Sequence, residues 1–169
     1  MMLRSSIATE VPHLRRFARA LTGDPVYADD LVQDCVERAL TRLHLFDKSR
    51  NLRVWLFTIL RNIHVNEKRK QARHGVSVDI DDARGSELAQ NPVQGDRLAL
   101  REVADAVLRL PIEQREVLLL ITLEGLSYNE TSEALGIPAG TVMSRLSRAR
   151  RHLSRILADD EQPQLRRVK

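Results

Sequence analysis

Cysteine is almost missing from this chain: Cys35 stands alone among 169 residues. A disulfide framework and a cysteine-built metal site within the chain are therefore excluded, and a reducing compartment fits. Aromatic residues make up only 4% while 43% of the chain is hydrophobic, which favours helices packed through Leu, Val and Ala over a sandwich of β-strands. No apolar run approaches the ~18 residues that a membrane-spanning helix needs, and the first residues carry no apolar signal segment. A cytoplasmic protein without membrane insertion is expected. The five histidines show no ligand spacing, so neither a metal nor a cofactor is expected. The net charge of +4 is modest, so its distribution carries more information than its sum.

The most telling absence is local. No acidic residue occurs from Ala139 through Ala158. Val142, Leu146, Ala149 and Leu153 form one helical stripe there. The other face carries Thr141, Ser144, Arg145, Arg148, Arg151 and Arg155. Upstream, Ser127 with Glu130 three residues on has the pattern of a capping box. Gly136 suits a left-handed helix end, and Pro138 suits the first turn of the next helix. A short helix, a tight turn and a longer helix with one apolar and one cationic, hydroxyl-bearing face is the arrangement that major-groove readout requires. The alternative is a solvated basic helix in an ordinary bundle.

The rest of the chain divides into helical stretches separated by breakers. Glu10–Leu21 is amphipathic, with Val11, Leu14, Phe17, Ala18 and Leu21 on one face, and Thr22-Gly-Asp-Pro25 ends it. A second helix is predicted over Tyr27–Leu43, with Cys35 in its apolar stripe as a core residue and Asp30, Gln33 and Asp34 together on its polar face. His44–Asn51 reads as a loop, and a third helix runs over Leu52–Lys70, with Trp55 as core. Residues 75–97 hold five acidic and two basic residues without a period, which predicts a flexible acidic linker. A second module starts near Leu98, is broken at Pro111, and contains an almost continuous apolar run from Val117 to Leu123. That run is expected to be core for the most part, with a partner-facing portion as the alternative. The prediction is an all-α protein of two small helical domains, 1–74 and 98–169, joined by the linker 75–97.

Four motifs in order carry a resemblance. Asp29-Asp-Leu-Val-Gln-Asp34, Asn51-Leu-Arg-Val-Trp-Leu-Phe-Thr-Ile-Leu-Arg-Asn62, Leu110-Pro-Ile-Glu-Gln-Arg-Glu-Val117 and Gly140-Thr-Val-Met-Ser-Arg-Leu-Ser-Arg-Ala-Arg150 resemble the extracytoplasmic-function (group 4) sigma factors of bacterial RNA polymerase. Phe17-Ala-Arg-Ala-Leu-Thr-Gly23, taken with Asn51 to Asn62, is similar to the alphaproteobacterial general-stress subgroup. The resemblance implies a region 2 domain that holds the promoter −10 element and binds the β′ clamp helices. It also implies a region 4 helix-turn-helix domain that holds the −35 element and binds the β flap. A stress or envelope response, control by an anti-sigma factor and a monomeric free state are implied as well. The polymerase, rather than this chain, would be the enzyme.

Residue by residue, Asp30, Gln33 and Asp34 match the clamp-binding positions. Carboxylates there can accept from Arg and Lys of a partner, although Asp34 stands where Glu is usual. Phe46, Lys48, Ser49 and Asn51, with Asn62, match the −10-reading region; single-stranded bases can be pocketed and hydrogen-bonded there. Phe46 could equally be a loop anchor. Arg61, Lys68 and Arg69 are placed for phosphates. Thr141, Ser144, Arg145, Ser147 and Arg148 match the recognition helix. Met143, Thr131 and Ser132 depart from the family pattern. Two other functions compete: a sigma-like mimic that titrates an anti-sigma factor, and a free-standing helix-turn-helix regulator, which would leave the first module unexplained.

Overall fold

The computed structural model describes residues 2–73 and 94–161, and every regular element among them is helical. The elements are α1 (Met2–Thr22), α2 (Pro25–Thr41), a short 3-10 turn (Leu43–Leu45), α3 (Leu52–Arg73), α4 (Gln94–Leu108), α5 (Ile112–Thr122), α6 (Tyr128–Leu135) and α7 (Ala139–Glu161). Helix α1 begins eight residues before the amphipathic stretch read from the sequence, because Ile7 extends the stripe of Leu14, Phe17, Ala18 and Leu21 and is fully buried. Helix α4 begins at Gln94, so the last four residues of the predicted linker are helical; residues 74–93 lie outside the described residues.

Helices α1, α2 and α3 pack as one unit. Asp24 caps α2, accepting from the Val26 and Tyr27 amides, and Pro25 follows in the first turn where its missing N–H costs nothing. Phe17 and Phe57 meet edge to face at 5.0 Å between ring centres. The thiol of Cys35 donates to the Leu56 carbonyl, and burial pushes its pKa up to about 12. It is core, as its place in the stripe predicts.

Helices α4 to α7 form the second unit, with α5 and α6 laid against α7. The run from Val117 to Leu120 is buried. Its density of apolar side chains has a plain cause: α5 is covered by α7 on one side and by α1 on another. Core therefore accounts for most of the run, as expected, while Ile121 and Leu123 are half-buried at its end.

The two units are packed against each other, and one apolar cluster runs from Ile7 through Ala149. Helix α3 lies on α6, and α1 lies on α4 and α5. Gly23, in the turn between α1 and α2, has φ +72° and lets Leu108 approach so closely that a Cβ there would stand 2.8 Å from a leucine methyl. The Gly23→Ala variant is thus opposed twice, by its dihedral and by Leu108. It should lose about 1–3 kcal/mol of unfolding free energy, read as a lower urea midpoint. An unchanged midpoint would show that the turn can relax.

Candidate nucleic-acid and partner interfaces

The turn before α7 is built locally. The Ser127 hydroxyl accepts from the Glu130 amide while the Glu130 carboxylate accepts from the Ser127 amide, a complete capping box. Gly136 ends α6 at φ +63°. The Ser132 hydroxyl donates to the Ile137 carbonyl at 2.5 Å, so this departure from the family pattern ties the turn together. Thr131 is fully buried and its hydroxyl oxygen finds no hydrogen-bond partner among the described residues, which makes it a cost without a visible return.

On α7, Val142, Leu146 and Ala149 are buried. The face away from them presents Ser144, Ser147 and Arg148 to solvent, with Thr141 and Arg145 half-buried at its edge. The Arg148 guanidinium donates back to the Ser144 carbonyl and hydroxyl at 3.3 and 3.2 Å, which holds it along the helix. Met143 is 52% exposed, so its side chain belongs to the same outward face. Thr141 to Arg148 spans about two turns, roughly 10 Å, and an α-helix of this kind fits the ~12 Å major groove.

The residues assigned to the −10 element are less uniformly free. Phe46 is buried, its ring 4.9 Å from that of Trp55. It is a loop anchor, and its ring is not open for stacking on a base. Lys48 and Ser49 are exposed beside it. The Asp47 carboxyl is held below its usual range because the Ser49 amide and hydroxyl both donate to it, which fixes the loop. Asn51 heads α3: its side-chain oxygen accepts from the Arg53 amide at 3.0 Å, and its side-chain nitrogen donates to Glu130 of the other unit at 2.9 Å. Arg61 stands 3.6 Å from Glu116, also of the other unit. Asn62, Lys68 and Arg69 are exposed along α3. Asn62 and Arg69 are seven residues apart and so share a side of the helix.

Asp30 and Gln33 are exposed on α2 and Asp34 is half-exposed. A shallow cleft brings these three together with Tyr27 and with Glu67 from α3. Glu67 was not singled out by the sequence; its partner Tyr27 lies 40 residues away. The Tyr27 hydroxyl donates to Glu67 at 2.7 Å, and His64 Nδ1 lies 3.1 Å from the same hydroxyl, so the imidazole donates from Nδ1. Burial and the neighbouring Glu67 push the phenol pKa of Tyr27 up, and burial pushes that of His64 down to about 4.

Between the units lies a set of ionic contacts that sequence reasoning missed. Glu124, its side chain fully buried, accepts from Arg16 through both carboxylate oxygens at 2.9 and 3.0 Å and from His13 at 3.0 Å. His13 in turn accepts from Arg53 at its other nitrogen, and Arg53 pairs with Glu10. Arg115 donates to the backbone carbonyls of Leu21, Leu108 and Leu110. The only sequence signal was that Arg115, Glu116 and Glu124 flank an otherwise apolar run. Among the described residues there is no cluster of acidic, His or Cys side chains that could hold a metal ion, and no helix long and apolar enough to cross a membrane.

Two family models match the chain, "Sigma2 domain of PhyR" over residues 7–61 and "Sigma-70, region 4" over residues 100–153. The chain is 41% identical over 161 residues to the ECF RNA polymerase sigma factor EcfG of Rhodopseudomonas palustris, covering 94% of this chain and 86% of that protein. The structure is similar to that of the sigma factor RpoE of Bartonella quintana, solved in complex with the anti-sigma factor NepR, with TM-score 0.76 and 35% identity over 94% of this chain and 98% of that one. It is also similar to CnrH in complex with the cytosolic domain of CnrY, with TM-score 0.68 and 29% identity over 93% and 88% of the two chains.

Proposed function

The chain belongs to the ECF RNA polymerase sigma factors, and from that premise we propose which of its surfaces meets each part of the transcription machinery. Helix α7 enters the major groove of the −35 element with Thr141, Ser144, Arg145, Ser147 and Arg148. The α3 side, with Lys48, Ser49, Asn51, Arg61, Asn62, Lys68 and Arg69, holds the −10 element, where opened bases meet amides and phosphates meet cations. Asp30, Gln33 and Asp34 accept from basic groups of the β′ clamp helices, and the second unit meets the β flap. Control by an anti-sigma factor is supported by the relatives solved in complex with one. The protein works in the cytoplasm, where polymerase and chromosome are, and in a stress response, as its EcfG relative suggests. It directs the polymerase and does no bond chemistry itself.

The observation that carries this reading is the pairing on one chain of an outward acidic face on α2 with an outward face on α7 that has no acidic residue before Asp159. The first is suited to a basic protein surface, the second to duplex DNA, and a free-standing operator-binding regulator would need only the second. Purified chain added to core polymerase should give run-off transcripts from specific promoters, mapped by their start sites. Tight binding to duplex operators without polymerase would instead favour the free-standing regulator. Binding to neither, with binding to an anti-sigma factor, would favour the mimic.

Arg148→Ala is the sharpest local variant. A guanidinium on two acceptors of one guanine discriminates by about 1–3 kcal/mol, so −35-dependent initiation should fall by roughly 5- to 150-fold. Binding to core polymerase, measured by gel filtration, should persist. Loss of core binding would place Arg148 in a different interface.

A further inference from the structure

Helix α7 carries one large apolar side chain that its packing does not use. Among the described residues, Met143 is the only exposed large hydrophobic on α7, whereas Val142, Leu146 and Ala149 are buried. Single apolar residues on a surface are ordinary; what distinguishes this one is its company. At ~100° per residue, the outward face runs from Met143 on one flank, across Gly140, Ser147 and Ser144, to Arg148 on the other. A Cβ at Gly140 would meet nothing within 4 Å, and the Ser147 side chain is too short to cover a thioether. Ala139, Gly140, Leu146 and Ser147, one turn either way from Met143, bear no charge, so no long cationic stem from them lies over it.

The two flanks differ in chemistry. The Arg148 flank is organised by hydrogen bonds: the Ser144 hydroxyl donates to the Thr141 carbonyl at 3.1 Å, and Arg148 donates to Ser144. The Met143 flank offers apolar contact. Met143 is the fifth residue of α7, and a recognition helix turns its N-terminal residues to base edges. The five-residue step to Arg148 is ~7.5 Å along the axis, against ~3.4 Å per base-pair step, so the two side chains address different base pairs. In the major groove thymine alone of the four bases displays a methyl group. A thioether is a weak acceptor without a donor, so against an amino group it would displace water with little return. Against a methyl it gains contact, and its three rotatable bonds let it settle there.

We propose that Met143 is a specificity-determining residue of the −35 contact, packing its thioether against the C5 methyl of a thymine, at a base pair other than the one Arg148 reads. This rests on the assignment of α7 to the −35 element given above. Met143 adds discrimination by shape and desolvation on a face whose other members act through hydroxyls and guanidinium groups.

The test uses the full chain with core polymerase on a promoter whose start site has been mapped. Each thymine of its −35 element, on either strand, is replaced singly by uracil, which keeps the pairing and removes only the methyl. At one position the replacement should lower run-off initiation by wild type about fourfold, the change that burying one methyl-sized group confers. Met143→Ala should start lower and show no thymine–uracil difference at that position, while Met143→Leu should restore the difference. A merely structural role would lower initiation equally on both templates. Wild type that treats thymine and uracil alike throughout, an element without thymine, or a difference that persists in Met143→Ala would each overturn the proposal. Should Arg148→Ala leave −35-dependent initiation unchanged, the assignment of α7 itself would fall, a separate result.

Discussion

Replacing Arg115 by methionine should remove about 3–5 kcal/mol of unfolding free energy, a large share of the total for a protein of this size. The guanidinium donates to three backbone carbonyls: Leu21 at the end of α1, at 2.6 Å, and Leu108 and Leu110 where α4 gives way to α5. Helix ends leave carbonyls without intrahelical partners, so one side chain satisfies acceptors from both units. Burial lowers the pKa of Arg115, against the opposing effect of Glu116, but the group remains a cation under all ordinary conditions. Methionine fills similar volume and supplies no donor, so three partly buried acceptors lose charge-assisted bonds worth about 1.5–3 kcal/mol each at most. Partial access of water offsets some of that loss. Lysine keeps the charge but lacks the fork and should recover about half. Urea denaturation followed by circular dichroism checks this. The expected sign of lost coupling between the units is a transition that broadens or splits in the methionine variant. A single transition at the wild-type midpoint would mean that the units are held by their apolar contact alone.

The second large effect is loss of stability in mild acid. His64 is 3% exposed and is held neutral in the folded state, its pKa lowered from 6.5 to about 4 by burial first and then by Lys68 and Arg115. The unfolded chain therefore takes up a proton on His64 at higher pH than the folded chain does. The contribution is fully present above pH 6.5, is lost as pH falls from 6.5 towards about 4, and levels off below that. Its size is on the order of 3 kcal/mol, from about 1.4 kcal/mol per pKa unit. Burial raises the pKa of Glu116, so that carboxyl contributes in the opposite sense and partly offsets the slope. Urea midpoints measured across the window should fall with acid in the wild type and fall much less in His64→Gln. Parallel slopes in the two proteins would assign the acid sensitivity elsewhere.

Arg115 and His64 also mark where the sequence was legible and where it was not. The Ser127–Glu130 box and the Gly136 helix end are features of three to ten consecutive residues, and their physics is complete within that window. The same holds for the stripe on α7, where period alone separates Val142, Leu146 and Ala149 from Ser144, Ser147 and Arg148. Arg115 meets Leu21 across 94 residues and Asn51 meets Glu130 across 79. Such pairings depend on how two units dock, and no local pattern carries that. Phe46 shows the intermediate case. An aromatic residue among polar ones is compatible with an exposed wall or an anchor, and only the position of the Trp55 ring decides for the anchor. The early start of α1 was missed because Ile7 is the one residue of its first turns that reaches the core among residues 3–9.

Glu130 has two roles that can be separated. One of its oxygens accepts from the Ser127 amide and hydroxyl, while the other accepts from Asn51. The cap of α6 is thus made without the oxygen that Asn51 uses. Asn51 likewise keeps its bond to the Arg53 amide. Neither partner has to unravel a helix end to release the other, so this contact carries no refolding step.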